Sequence, residues 1–426
     1  MNIVMLTNTY LPHVGGVARS VAAFSEEYRK RGHRVLVVAP EFPEKIKGEQ
    51  DVIRIHALQN FNGSDFSVAL PFSGHLRERL EAFRPDIVHA HHPFLLGMTA
   101  LRISRAWELP LVFTHHTLYE RYTHYVPADS QALKRFVIEL ATRYANLASL
   151  VFAPSASIAA LLRRRGVKTA IAEVPTGVQR QHFIAGNGNK AREKYQIPQS
   201  AFVLGHLGRL APEKNLTFLS AVVAEFMQNN PHVHFLLVGD GPMAKEIKDL
   251  FASRGLSARL HMPGTLQGAL QSDAYAAMDG FIFTSTSETQ GMVLSEAMTS
   301  GVPVIALDAN GTREVVRDGI NGRLLPRENR GDFIAALQWL CEQTPQQRHK
   351  LKQEALRTAE NFSMENCATR ALALYEPLLK HNWPLDDSLY AQWHRLRNLI
   401  GAQWEILEGV TGAAGAAFQH TPPRWP

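Results

Sequence analysis

In Ser287-Glu288-Thr289-Gln290-Gly291-Met292-Val293-Leu294-Ser295-Glu296, two glutamates are separated by seven residues and straddle a glycine that opens an apolar helix. Carboxylates accept hydrogen bonds from sugar hydroxyls, and the unpaired N–H groups of a helix start attract anions. One element thus offers both halves of a site for a sugar carried on a phosphate. A second group, Gly208-Arg209-Leu210-Ala211-Pro212-Glu213-Lys214-Asn215, joins an apolar run to the next helix. Arg209 and Lys214 there bring two cations to a helix N-terminus, which suits a diphosphate. Nearer the start, Gly15-Gly16 follows the first apolar run. Paired glycines let backbone N–H groups approach a phosphate closely, although a tight turn for its own sake is also open. The spacing is not G-x-G-x-x-G, so a dinucleotide fingerprint is not supported.

His89, His91 and His92 follow one apolar run, and His115 and His116 follow another. No paired carboxylate or Cys cluster accompanies them, so the expectation is no metal. His116 is instead a candidate to hydrogen-bond a sugar or a leaving group, or else a structural histidine. Tyr119, Tyr122 and Tyr125 recur every three residues among Arg121 and His124. Lys134 and Arg135 lie on the next helix, and Arg163, Arg164 and Arg165 close a later one. Aromatic rings with one dry and one wet end, next to cations, fit peripheral contact with anionic lipid. Ordinary packed helices with solvated charges fit the same residues.

These groups must be held by regular elements. Asn2–Thr7, Arg34–Ala39, Val52–Ile55, Ile87–Ala90, Leu111–Thr114 and Leu150–Ala153 read as short buried strands, alternating with helices such as Val17–Arg31 and 130–148. The alternation predicts a doubly wound parallel sheet. Val174 through the polar Gly186-Asn187-Gly188-Asn189 reads as a linker, after which the pattern restarts from Phe202–Gly208 and ends near Phe362. Four segments are expected: a first domain over 1–185, a second over 186–362, a helix over 363–382 crossing back to the first domain, and a tail over 383–426. The tail holds four of the six tryptophans, and Leu389, Trp393, Leu396, Ile400, Trp404 and Leu407 form one helical face. That face either packs back onto the first domain or meets a membrane or partner.

Hydrophobic content of 45% and charged content of 20% are those of a globular protein, and 426 residues exceed one ordinary core. Cys341 and Cys367 are the only cysteines, which argues against a disulfide framework or a zinc cluster and suits a reducing cytosol. The N-terminus has no signal-peptide pattern, and no apolar run approaches a membrane span. Residues 1–185 hold 22 Lys and Arg against 15 Asp and Glu, whereas the remainder holds 23 against 24. A basic first half suggests an anionic partner; a membrane surface is favoured, since no nucleic-acid recognition motif is present.

Taken with Gly311–Glu314 (Gly-Thr-Arg-Glu) and Asp318–Gly322 (Asp-Gly-x-Asn-Gly), these motifs closely resemble glycosyltransferase family 4 over nearly all of residues 1–380. That family comprises retaining, nucleotide-sugar-dependent enzymes. The resemblance implies the GT-B architecture, α/β with two Rossmann-like domains facing across a cleft. It implies that Arg209 and Lys214 bind the donor diphosphate with help from Gly16. Glu288, with Gln290, Gly291 and Met292, would meet the donor sugar; Glu296 would hold the ribose; the base would lie near Met262; His116 would sit by the reacting sugar. Ser-Glu-Thr-Gln-Gly and His-Thr-Leu-Tyr-Glu-Arg-Tyr-x-x-Tyr-Val-Pro look like the bacterial diacylglycerol α-glucosyltransferases. The implied reaction is transfer of glucose from UDP-glucose to a lipid hydroxyl at the inner face of the membrane, with no tightly bound cofactor and with room for Mg2+ stimulation. A soluble or polysaccharide-precursor acceptor is the same-class alternative, and a nucleotide-sugar epimerase or phosphorylase the different-class one.

Overall fold

The computed structural model describes residues 1–13, 15–42, 49–58, 68–69, 74–121, 130–379 and 389–418. The chain forms two compact units: Met1–Thr176 with Cys367–Pro426 (unit 1), and Gly177–Asn366 (unit 2). In unit 1, strands β1 (Asn2–Leu6), β2 (Arg34–Pro40), β3 (Val52–Ile55), β4 (Ile87–Ala90), β5 (Leu111–Thr114), β6 (Leu150–Ala153) and β7 (Ile171–Glu173) make one parallel sheet ordered β3-β2-β1-β4-β5-β6-β7. Every residue of β4, β5 and β6 is buried, as expected for strands covered by helices on both faces.

Unit 2 repeats the plan with β8 (Phe202–Leu207), β9 (Val233–Val238), β10 (Leu260–Gly264), β11 (Gly280–Phe283), β12 (Val304–Leu307) and β13 (Gly322–Leu325), ordered β10-β9-β8-β11-β12-β13. Alternate strand residues feed two cores. Phe202, Leu204, Phe235 and Leu237 enter one; Val203, Leu236, Val238 and Phe281 enter the other. In each sheet the strand order reverses once, between β1 and β4 and between β8 and β11. Such a reversal opens a crevice at the carboxyl ends of the two strands. The Gly-Gly turn follows β1 and His91 and His92 follow β4, with His89 inside β4 and His115 and His116 after the neighbouring β5; the Arg209–Lys214 loop and the glutamate loop follow β8 and β11.

Two expectations need correction, the linker and the buried face of the tail. Residues 177–189 are not a loose linker. Arg180–Ile184 and Gly188–Lys194 are helices of unit 2, and Phe183 is buried in its core. Gly186 and Gly188 are there for close approach: a Cβ would stand 2.3 Å from the Ser272 carbonyl oxygen and 2.2 Å from that of Ala276. The chain rejoins unit 1 at Cys367, within the helix Met364–Tyr375.

The tail is helical over Leu389–Phe418 and packs in unit 1 against Leu96–Ala106 and Gln131–Leu147, but not through the predicted stripe. Ala402, Ile406, Ala413 and Ala417 are buried among its described side chains, whereas Ile400, Trp404 and Leu407 are 63%, 69% and 52% exposed. Small residues let the helix axes approach, so the alanine face wins over the bulky one. The side chains of Leu389, Trp393 and Leu396 lie outside the described residues. Ala413→Leu, which overfills this seam, is expected to cost about 1–3 kcal/mol of stability. Trp404→Ala is expected to cost no more than about 0.5 kcal/mol. Guanidinium unfolding curves check both; equal losses would place the packed face on the tryptophan side.

Candidate active site

In unit 2 the chain leaves β8 through Gly208 and Arg209 into a single helical turn, Pro212–Lys214. Asn215 then takes the left-handed conformation (φ 55°, ψ 41°) and starts the helix Leu216–Asn229 without a side-chain cap. This turn is laced to the loop after β9. Leu210 N–H donates to the Asp240 carbonyl at 2.9 Å and Met243 N–H to the Leu210 carbonyl at 3.0 Å. A Cβ on Gly239 would stand 1.9 Å from the Gly208 carbonyl oxygen, and one on Gly241 2.4 Å from that of Leu210. Thr284 and Ser287 hold the turn from the other side: Thr284 Oγ1 donates to the Asn215 carbonyl at 3.1 Å and Ser287 Oγ to that of Glu213 at 3.1 Å.

The result is contact between Lys214 and Glu288, with Lys214 Nζ 2.5 Å from Glu288 Oε1, both side chains under one-fifth exposed. Ser285 Oγ donates to the same carboxylate oxygen at 2.9 Å. Burial alone would raise the Glu288 pKa, but Lys214 and the Ser285 hydroxyl outweigh it and hold the carboxyl below its ordinary value. Arg209 is exposed nearby in sequence, and Met262 is half-buried in β10. After Glu288 the chain turns at Gly291 (φ 67°) into the helix Met292–Thr299, whose start has no side-chain cap. Gly311 presses against that turn, where a Cβ would come within 2.5 Å of the Gln290 nitrogen. Gln290 is buried, and Glu296 is 1% exposed. Tyr275 OH and Gln271 Nε2 donate to Glu296 Oε2 at 2.8 and 3.1 Å. An ammonium–carboxylate pair beside an uncapped helix start can bind a phosphorylated sugar at both its anionic and its hydroxyl ends.

In unit 1 Gly15 begins the helix Gly16–Lys30 without a side-chain cap, and a Cβ at Gly16 would meet nothing within 4 Å. Asn8, at the end of β1, shapes the loop after β4. Its Oδ1 accepts from Leu96 N–H and its Nδ2 donates to the Phe94 carbonyl, each at 3.1 Å. The histidines converge here. His91 Nδ1 is 2.9 Å from His116 Nε2; His89 Nε2 is 2.7 Å from Thr114 Oγ1, and His89 Nδ1 is 2.6 Å from Tyr375 OH. Burial lowers the pKa of His89 and of His116 to about 3 and that of His91 well below its ordinary value, so all three rings are neutral at neutral pH. Among the described residues no group of three or more His, Cys, Asp and Glu side chains could hold a metal ion.

Two members of the expected lipid-facing set do not serve it. Arg165 is paired with Glu120 (Nη2 to Oε1, 2.5 Å), with its side chain only 8% exposed. Tyr119 turns inward, edge-on to Phe94 and His115, with a buried hydroxyl. Arg163 and Arg164 are exposed, while Lys134 and Arg135 are half-buried on Gln131–Leu147. Tyr122 and Tyr125 lie outside the described residues. Sequence reasoning missed Ser285, Gln271, Tyr275, Asn8 and Tyr375. Only Ser285 had a signal, its closeness to Glu288; the others act across long stretches of chain.

Residues 14–182 match the model for Glycosyltransferase Family 4, and residues 187–358 that for Glycosyl transferases group 1. An alpha-monoglucosyldiacylglycerol synthase of Streptococcus pneumoniae is 28% identical over 91% of this chain and 88% of its own. A GDP-mannose-dependent alpha-mannosyltransferase of Mycobacterium tuberculosis is 28% identical over 76% of this chain and 84% of its own. Among solved structures, Anabaena HepE in complex with UDP superposes with a TM-score of 0.71 at 23% identity, over 88% of this chain and all (100%) of its own.

A carboxyl whose folded-state pKa is depressed contributes stability above the unfolded-state value and loses it as pH falls through the folded one. Lys214→Met should therefore cost about 1–3 kcal/mol at neutral pH by leaving a half-buried carboxylate without its counter-ion. The gap from the unsubstituted chain should close below about pH 4. Thermal unfolding of both proteins against pH reads this directly; a pH-independent gap would mean that the pair is not what the substitution removes.

Proposed function

We propose, for a chain that belongs to glycosyltransferase family 4 and is a hexosyltransferase of GT-B fold, that it moves glucose from UDP-glucose to a hydroxyl of a membrane lipid such as diacylglycerol, keeping the α configuration. The observation that carries this reading is the Lys214–Glu288 contact at the reversal point of the unit 2 sheet. Lys214 and Arg209 hold the diphosphate and stabilise the negative charge that grows on it as the anomeric C–O bond breaks. Glu288 and the N–H groups around Gln290-Gly291-Met292 orient the donor sugar. Glu296, fixed by Tyr275 and Gln271, accepts from the ribose hydroxyls. The base lies by Met262. Within unit 1, Gly16 is assigned to a phosphate and His116 to the transferred sugar.

The leaving phosphate takes the acceptor proton as the acceptor oxygen bonds the anomeric carbon on the same face. No carboxylate nucleophile is then required, and the protein contributes charge stabilisation and positioning. The glucosyldiacylglycerol synthase relative supports the lipid acceptor, while the mannosyltransferase relative leaves a different donor as the second reading. No helix among the described residues is long and apolar enough to cross a membrane. Contact with the inner face of the bilayer would be peripheral, through the exposed Arg163 and Arg164 and the Ile400, Trp404 and Leu407 stripe of unit 1.

The test incubates the protein with UDP-glucose, UDP-galactose or GDP-mannose and diacylglycerol in anionic vesicles. An α-glucosyl lipid from UDP-glucose is expected, with Lys214→Ala and Glu288→Gln each slower by at least about 100-fold. Turnover of GDP-mannose alone, or of soluble acceptors alone, would overturn the substrate reading. Near-normal turnover in either variant would overturn the site. Separately, joint replacement of Arg163 and Arg164 by glutamate should weaken cosedimentation with anionic vesicles but not with neutral ones.

A further inference from the structure

His91 and His116 come from the ends of different strands, yet their rings lie nearly parallel, 26° apart with centroids 5.1 Å apart, and share one hydrogen bond of 2.9 Å between His91 Nδ1 and His116 Nε2. A neutral imidazole carries one N–H and one lone pair, so this bond ties the two tautomers together. If His91 donates, His116 keeps its proton on Nδ1. If His91 accepts, His116 has its proton on Nε2, and Nδ1 carries the lone pair. The other nitrogen of His91, Nε2, is buried and has no hydrogen-bond partner among the described residues. A buried N–H without an acceptor is the rarer and costlier orphan, so the proton of His91 belongs on Nδ1, where it has one.

His91 is also held in place. Its ring lies 4.2 Å from that of His89, whose nitrogens are both engaged, by Thr114 Oγ1 and by Tyr375 OH. Tyr375 in turn stacks on Phe152 at 5.6 Å and 17°. The last helical turn of Met364–Tyr375 thereby backs the histidine pair from the far end of the sequence.

We propose that His91 is a positioning residue that fixes His116 as its Nδ1–H tautomer, making His116 a hydrogen-bond donor, through that nitrogen, to an oxygen of the transferred sugar. This rests on the assignment of His116 to the reacting sugar made above. The test labels histidine with 15N and identifies the His116 ring by its loss in His116→Gln. The expected signature is protonated Nδ1 in the unsubstituted protein, passing to protonated Nε2 in His91→Ala. His91→Asn, whose side-chain amide can donate from the place of Nδ1, should preserve the Nδ1–H form. In transfer assays His91→Ala should lower kcat by about 10- to 100-fold with KM for the donor little changed, and His91→Asn should recover most of it. A protonated Nε2 on His116 in the unsubstituted protein, or unchanged kcat in His91→Ala, would overturn the proposal, as would an asparagine variant no better than the alanine one. The tautomer measurement needs no turnover, so it decides this point even if the lipid or donor assignment fails. Should His91→Ala not fold, the unsubstituted and asparagine proteins still decide it.

Discussion

Each sheet reverses its strand order once, and the loops leaving the two strands at the reversal must part in opposite directions. That topological constraint opens the only kind of crevice an all-parallel sheet readily offers at its carboxyl edge. Every residue assigned to donor binding through a strand-end loop depends on it. In unit 2 it sets the Arg209–Lys214 turn beside the glutamate loop, closely enough for an ammonium to touch a carboxylate. In unit 1 it makes β1, which leads into the Gly-Gly turn, the neighbour of β4, which leads into His91 and His92. The chemistry is thus carried by loops, and the buried strands keep those loops in register.

Much of this was legible in the chain itself. Short, mostly apolar runs such as Ile87–Ala90 and Leu111–Thr114 read as interior parallel strands, and their alternation with helices implied two doubly wound sheets. Cations and carboxylates at strand ends pointed to the site for the same reason. What escaped was decided by contacts that no spacing reveals. Gly186 and Gly188 look like linker glycines until a second helix is seen pressed against their backbone. Arg165 looks like the third member of a basic run until Glu120 takes it inward. Tyr375 bonds to a histidine 286 positions earlier, and no local pattern announces that.

The tail helix shows why periodicity alone misleads about which face is buried. Both the bulky stripe and the alanine stripe repeat at helical spacing, and hydrophobicity favours the first. Packing favours the second, because alanines bring two helices together with fewer rotamers to freeze. The outer stripe leaves Ile400, Trp404 and Leu407 turned away from the core of unit 1. The same helix is thus anchored by one face and offers another.

The seam between the turn after β8 and the loop after β9 is made of main chain on both sides, Gly208 and Leu210 against Gly239 and Gly241. Side-chain variation elsewhere has no lever on such a joint. Homologous proteins could therefore drift far in composition and still present the same cradle, while one added methyl group at Gly239 would wedge it apart. Divergent specificities can then accumulate on the flanking loops without this main-chain joint being rebuilt.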